Sequence, residues 1–196
     1  MKKKIILASN SPRRRELLSS LGIEFEVVTD NSLEVVGENL LPEEIVCELA
    51  EFKGTNVTQK LPSGTDAVVI SADTVVSVDG KVLGKPTDED DAEKMLTMLS
   101  GRSHFVYTGV CVRDTFSKKK KKFYVKTEVF FKNLDIIEIK DYINTGEPMD
   151  KAGAYGIQNF GALFVEKIHG DYFNVVGLPI CKLSEVLKKD FGIKII

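Results

Sequence analysis

The segment Ser9-Asn-Ser-Pro-Arg-Arg-Arg15 sets polar donors ahead of three guanidinium groups, with Pro12 standing where a helix would begin. A turn entering a helix aims free backbone N–H groups and the positive dipole end at whatever lies in front of it, which suits an anion. Ser9, Asn10 and Ser11 add short donors, and Arg13 and Arg14 add planar forks matched to phosphate oxygens. The chain has only five arginines and three of them are here, so phosphate recognition is looked for here first. A capped surface helix with an exposed basic face accounts for the same residues.

Asp73 is the second position with chemical potential. It interrupts the apolar run Val68-Val-Ile-Ser-Ala-Asp-Thr-Val-Val76, and an unpaired charge there would be costly to bury. It reads either as a strand-end residue capping a turn or as a general base or metal ligand at the mouth of a sheet. Glu34, Lys53 and Lys85 are ordinary surface charges when taken singly, although Lys85 lies in the tight Leu83-Gly-Lys-Pro86 turn. Gly153, Gly156 and Gly161 crowd the segment that follows Asp150 and imply close backbone approach. His104 and His169 make no zinc spacing and read as structural. There is no Walker pattern, no GxGxxG and no GxSxG, so a P-loop ATPase, a dinucleotide enzyme and a nucleophile elbow are all disfavoured.

These residues need elements to hold them. A buried strand is expected over Lys4–Ala8, a helix over Arg13–Leu21, a short strand over Phe25–Thr29 and a helix over Pro42–Lys60. Asp66–Val78 is rich in β-branched residues, and Asp79-Gly80 marks a hairpin. A helix over Asp88–Leu99 precedes a long antiparallel pair, Ser103–Arg113 and Phe123–Asn133, joined across the five lysines Lys118–Lys122, which read as a solvated hairpin tip. A helix over Ile137–Asn144, a strand over Ala162–Ile168 and a helix over Pro179–Phe191 complete a mixed α/β reading.

Composition narrows the class. The chain has 196 residues, 43% hydrophobic and 29% charged, enough for a real core in one domain or two small lobes. No apolar run is long enough for a membrane span or a signal-peptide core. Cys47, Cys111 and Cys181 are odd in number and scattered, which points to thiols in a reducing, cytoplasmic setting. The net charge of −2 argues against general nucleic-acid coating.

Six stretches, in order, resemble the Maf family of nucleoside triphosphate pyrophosphatases. They are Leu7-Ala-Ser-Asn-Ser-Pro-Arg-Arg-Arg-Glu-Leu-Leu18, Ser71-Ala-Asp-Thr-Val75, Leu83-Gly-Lys-Pro86, Leu99-Ser-Gly-Arg102, Asp150-Lys-Ala-Gly-Ala-Tyr-Gly-Ile-Gln158 and Asp171-Tyr-Phe-Asn-Val-Val-Gly-Leu-Pro179. The likeness runs from about Lys4 to Phe191 and implies one Maf-like domain over 1–196. It implies an α/β fold with a mixed twisted sheet and flanking helices, akin to inosine-triphosphate pyrophosphatases, with two lobes around a central cleft. It also implies a homodimer and hydrolysis of the α–β phosphoanhydride with a divalent cation.

By the same resemblance, Asp73 matches the family's proton acceptor. Arg13, Thr74 and Gln158 match the positions of the dTTP/UTP-preferring subgroup, whereas the 7-methyl-GTP subgroup shows Ser-Pro-Tyr-Arg in the first motif. The Ser9–Arg14 turn with Lys53 and Lys85 would then hold triphosphate oxygens, and Asp73 with Glu34 would bind Mg²⁺ or Mn²⁺. Asp30 competes with Glu34 for the second carboxylate role. Gly54 and Asn159 depart from the family's usual Ala and Gly, implying a locally looser helix and an altered loop. Two other readings stay open, a nucleotide-sensing regulator of cell division without turnover and a nucleic-acid surface at the lysine run.

Overall fold

The computed structural model describes residues 3–30, 32–33, 37 and 40–196. Along the chain run β1 (Lys4–Leu7), α1 (Pro12–Ser20), β2 (Glu26–Val27), α2 (Pro42–Lys60), β3 (Ala67–Val78), β4 (Lys81–Leu83) and α3 (Glu89–Leu99). The hairpin β5 (Ser103–Asp114) and β6 (Lys120–Phe131) follows, then α4 (Ile136–Asn144), β7 (Val165–His169), α5 (Tyr172–Val176) and α6 (Ile180–Phe191). Three short 3-10 turns occupy Glu147–Asp150, Ala152–Ala154 and Asn159–Phe164. The strands order as β2-β1-β3-β5-β6-β7, with β4 paired on β3. β1 is parallel to both β2 and β3, while β4 and β7 pair antiparallel to β3 and β6. The mixed α/β architecture expected from the sequence is therefore the one observed.

The chain divides into two compact units, and β3, β5 and β6 each contribute residues to both. The first unit comprises residues 1–73, 108–125 and 177–196. β1 is flanked on both sides by strands, and its Ile5, Ile6 and Leu7 are buried together, as a central parallel strand requires. Ile6, Ala8, Val57, Ala67 and Val69 form a core here. The helix starts follow local chemistry. The Ser11 hydroxyl accepts the Arg14 N–H at the start of α1, and the Glu44 carboxylate accepts the Leu41 N–H at 2.8 Å at the start of α2. α2 then lies so close to β5 that a Cβ on Gly109 would stand 2.3 Å from the Val46 carbonyl oxygen.

The second unit comprises residues 74–107 and 126–176. Its core gathers Val76, Val78, Leu96, Leu99, Val106, Val129 and Phe131 with Tyr142, Tyr155 and Phe164. Asp88 and Asp135 cap α3 and α4, and the acidic residues of α3's first turn (Glu89, Asp90, Asp91) suit the helix dipole there.

Two expectations need correction. The strand expected over Ala162–Ile168 begins only at Val165, because residues 159–164 wind into a 3-10 turn whose first N–H groups bond a distant carboxylate. The lysine run is not wholly a hairpin tip. The tip is residues 115–119, closed by the Asp114 N–H on the Lys119 carbonyl, and Lys120–Lys122 already belong to β6. Lys120 and Lys122 both pair with Glu51 on α2, and Arg113 lies 3.7 Å from the same carboxylate.

The Gly109 contact is with backbone, which cannot swing aside as a flexible side chain can. Gly109→Ala is expected to cost about 3 kcal/mol by overpacking. For a chain of this size that lowers Tm by about 6–12 °C in a thermal melt. An unchanged Tm would mean that α2 moves off the sheet at little cost.

Candidate active site

Within the first unit the Ser9–Arg14 turn is tied down by its own side chains. Ser9 is buried, and its hydroxyl accepts the Ser11 N–H and an Arg14 Nη1–H, both at 3.2 Å. Arg14 donates from Nη1 to the Ala72 carbonyl at 2.8 Å and from Nε to the Gly177 carbonyl at 2.7 Å. One guanidinium thus joins the start of α1 to the strand immediately before Asp73 and to the chain after α5. Arg15 turns back to the Asn10 carbonyl at 3.1 Å, and Arg13 is half-buried on the first turn of α1.

Asp73 is the seventh residue of β3, well inside the strand, so the strand-end cap reading does not hold. Side chains alternate along a strand, which places Ser71 and Asp73 on one face. Both meet α2 there. The Ser71 hydroxyl donates to the Ala50 carbonyl at 2.6 Å, and Lys53 Nζ lies 2.5 Å from Asp73 Oδ1. A largely buried carboxylate is thereby matched by a cation one helical turn from the Ser71 contact. Gly54 has a reason beyond helix propensity. A Cβ at this position would come within 2.6 Å of Ser71 Oγ, so glycine lets α2 approach β3 here.

Asp30 is committed elsewhere. Its carboxylate takes the Lys60 ammonium, the Asn56 amide at 2.8 Å and the Ser32 N–H at 3.1 Å. These bonds, with Lys60 the largest influence, hold its carboxyl well below the usual carboxylate range. Glu34, the other candidate for that role, lies outside the described residues.

Thr74, Lys85 and Gln158 belong to the second unit. Thr74 directly follows Asp73 in β3. Lys85 is exposed in the turn after β4, and that turn is linked to the glycine-rich segment by the Gly153 N–H on the Gly84 carbonyl at 2.9 Å. Gly153 has φ +68°, and a Cβ there would stand 2.8 Å from Val76 Cγ2. Gln158 is half-buried and immediately precedes the 3-10 turn Asn159–Phe164. Asn159 has φ +54°, in the left-handed region that asparagine tolerates better than most side chains and that glycine adopts without strain. Beneath the loop, His104 Nε2 and Tyr155 Oη are 2.7 Å apart in a cluster with Phe131. The reading of His104 as structural agrees with this placement.

Sequence reasoning missed two groups, one in each unit: in the first, the Ala72 and Gly177 carbonyls that anchor Arg14, and in the second, Glu147 with Tyr142 around the Gln158 loop. Backbone acceptors leave no trace in residue types. Glu147 did carry a signal, as a carboxylate just ahead of a glycine-rich segment whose N–H groups need acceptors.

The family described as Maf-like protein matches residues 4–190. A dTTP/UTP pyrophosphatase of Thermoanaerobacter sp. (strain X514) is 51% identical over 193 residues, covering 98% of this chain and 100% of that protein. One from Bacillus pumilus (strain SAFR-032) is 52% identical over 189 residues, covering 96% and 97%. Among solved structures, the chain is similar to the Staphylococcus aureus Ham1 protein, over 66% of this chain and 72% of that one, with a TM-score of 0.45 and 18% identity.

Burial lowers the His104 pKa to about 4, whereas the unfolded chain protonates it near 6.5. Between those values the unfolded state binds more protons, so stability falls as pH drops from 6.5 toward 4, by up to about 3 kcal/mol. Urea unfolding at pH 7 and pH 4.5 is expected to show this loss in the wild type and a smaller one in His104→Gln. At position 159, Asn159→Gly is expected to hold or raise stability, whereas Asn159→Ala costs about 1 kcal/mol. Equal stabilities for the two variants would contradict the conformational account.

Proposed function

The chain belongs to the Maf-like protein family, and from that premise we propose that it is a nucleoside triphosphate pyrophosphatase acting on dTTP and UTP. Water attacks the α–β phosphoanhydride, and the products are the nucleoside monophosphate and pyrophosphate. The names of the half-identical relatives support the substrate class. The observation that carries the chemistry is the pairing of Lys53 on α2 with Asp73 in β3, beside the peptide that Arg14 grips.

Phosphoanhydride hydrolysis asks a protein mainly for charge neutralisation and an aligned water. Ser9, Ser11 and Arg13 receive phosphate oxygens at the positive end of the α1 dipole, and Lys53 and Lys85 add positive charge. The Arg14 fork is largely spent on protein carbonyls, so its contribution to binding is to hold this cradle and to place Ala72–Asp73. Asp73, steered by Lys53, accepts the proton of the attacking water. Thr74, Arg13 and Gln158 select the pyrimidine, and the Gln158 amide can both donate to and accept from the base edge.

A divalent cation fits this donor set. Among the described residues no group of three His, Cys, Asp or Glu side chains forms a cage. Mg²⁺ is commonly held by one or two carboxylates with substrate phosphates and water completing its shell. Mg²⁺ or Mn²⁺ would thus be held by Asp73 and the triphosphate, and would supply neutralisation of the charge developing on the phosphate oxygens. No described helix is long and apolar enough to cross a membrane. We also propose a homodimer of the chain, on the family likeness.

Pyrophosphate release from dTTP, UTP, CTP, ATP, GTP and 7-methyl-GTP, with and without Mg²⁺ or Mn²⁺, tests the proposal. Turnover is expected for dTTP and UTP, abolished by chelation. Asp73→Asn is expected to lose roughly 10²–10⁴-fold in kcat while retaining triphosphate binding by calorimetry. Preferential turnover of 7-methyl-GTP would overturn the substrate assignment. Binding without turnover of any nucleotide would overturn the enzyme itself.

A further inference from the structure

The loop carrying Gln158 converges on one carboxylate. Glu147 Oε1 accepts the Tyr142 hydroxyl at 3.0 Å and the Gly161 N–H at 3.3 Å, and Oε2 accepts the Phe160 N–H at 3.2 Å. Tyr142 Oη in turn accepts the Gly156 N–H at 3.2 Å. The backbone is therefore held two residues before Gln158, and again two and three residues after it. Glu147 is itself anchored, because its own carbonyl accepts Lys151 Nζ at 2.5 Å.

The two arms of the loop also touch directly. A Cβ on Gly161 would stand 2.2 Å from the Gly156 carbonyl oxygen and 2.8 Å from Tyr142 Oη. Tyr142 is buried, and burial, with the Glu147 charge beside it, pushes its phenol above the ordinary range, so it remains a donor to Glu147. One acidic side chain thus does for this turn what a run of regular hydrogen bonds does for a strand.

A site that discriminates through hydrogen bonds needs its donors and acceptors held to a fraction of an ångström. An amide just ahead of a 3-10 turn, beside a left-handed residue, has no ladder to hold it. We propose that Glu147 is a positioning residue for pyrimidine selection: it fixes the backbone frame from which Gln158 presents its amide, without touching the base. This rests on the reading of Gln158 as the base-contacting residue.

The test is steady-state pyrophosphate release from dTTP, UTP and CTP with Mg²⁺. The proteins are the wild type, Glu147→Ala, Glu147→Gln, Gln158→Ala and the Gln158→Ala/Glu147→Ala double variant. For Glu147→Ala, KM for dTTP and UTP is expected to rise roughly tenfold, with kcat within about threefold, and the dTTP-over-CTP ratio of kcat/KM to fall roughly tenfold. Glu147→Gln keeps the shape and one accepting oxygen, so it lies between, and it carries the test should the alanine variant not fold. In the double variant the second substitution should change the ratio no further. An unchanged ratio in both Glu147 variants, while Gln158→Ala loses selectivity, overturns the positioning role alone. An additional loss in the double variant overturns it too, since Glu147 would then act by another route. Wild-type selectivity in Gln158→Ala overturns the reading of Gln158 and the proposal with it.

Discussion

A carboxylate inside a buried strand has to be matched by a cation, and the arrangement of the first unit follows from how Asp73 meets that demand. Its partner, Lys53, comes from a helix, so α2 must lie close enough to β3 for an ammonium group to reach the strand. That closeness is what Gly54 permits and what the Ser71 hydroxyl, bonded to the Ala50 carbonyl, secures. Arg14 secures the same strand from the α1 side through the Ala72 carbonyl. The Asp73 carboxylate is thus fixed by Lys53 directly and through the anchored Ser71 and Ala72 that precede it in β3, which leaves it little conformational freedom.

The second unit solves a different problem. Its glycine-rich segment gives up regular secondary structure so that backbone can approach backbone, and each lost ladder bond must be replaced. The replacements are individual: Gly153 on Gly84, Gly156 on Tyr142, Phe160 and Gly161 on Glu147. Irregular backbone of this kind is stable only while every acceptor is in place, which is why single polar side chains can matter to the segment's shape.

Much of this was legible in the residues. The Ser-Pro start of α1, the acidic first turn of α3 and the Asp79-Gly80 hairpin are local signals, and each element lies where its signal falls. Asp73 was legible as an anomaly, but its partner was not, because Lys53 is twenty residues away and looks like any surface lysine until α2 is docked. The 3-10 turn before β7 was misread as strand for a related reason: apolar content is short-range information, whereas the Glu147 contacts that bend the backbone are set by tertiary structure.

The lysine run has a consequence beyond its pairing with Glu51. β7 joins β6 only from Glu128 onward, so among the described residues the stretch Lys120–Lys122 borders no strand on its outer side. Such an edge offers unpaired N–H and C=O groups to any passing extended chain. A second molecule adding itself there would bring its own lysines alongside these, charge against like charge. Lysines along an open edge are one of the means by which proteins keep a further strand from pairing there.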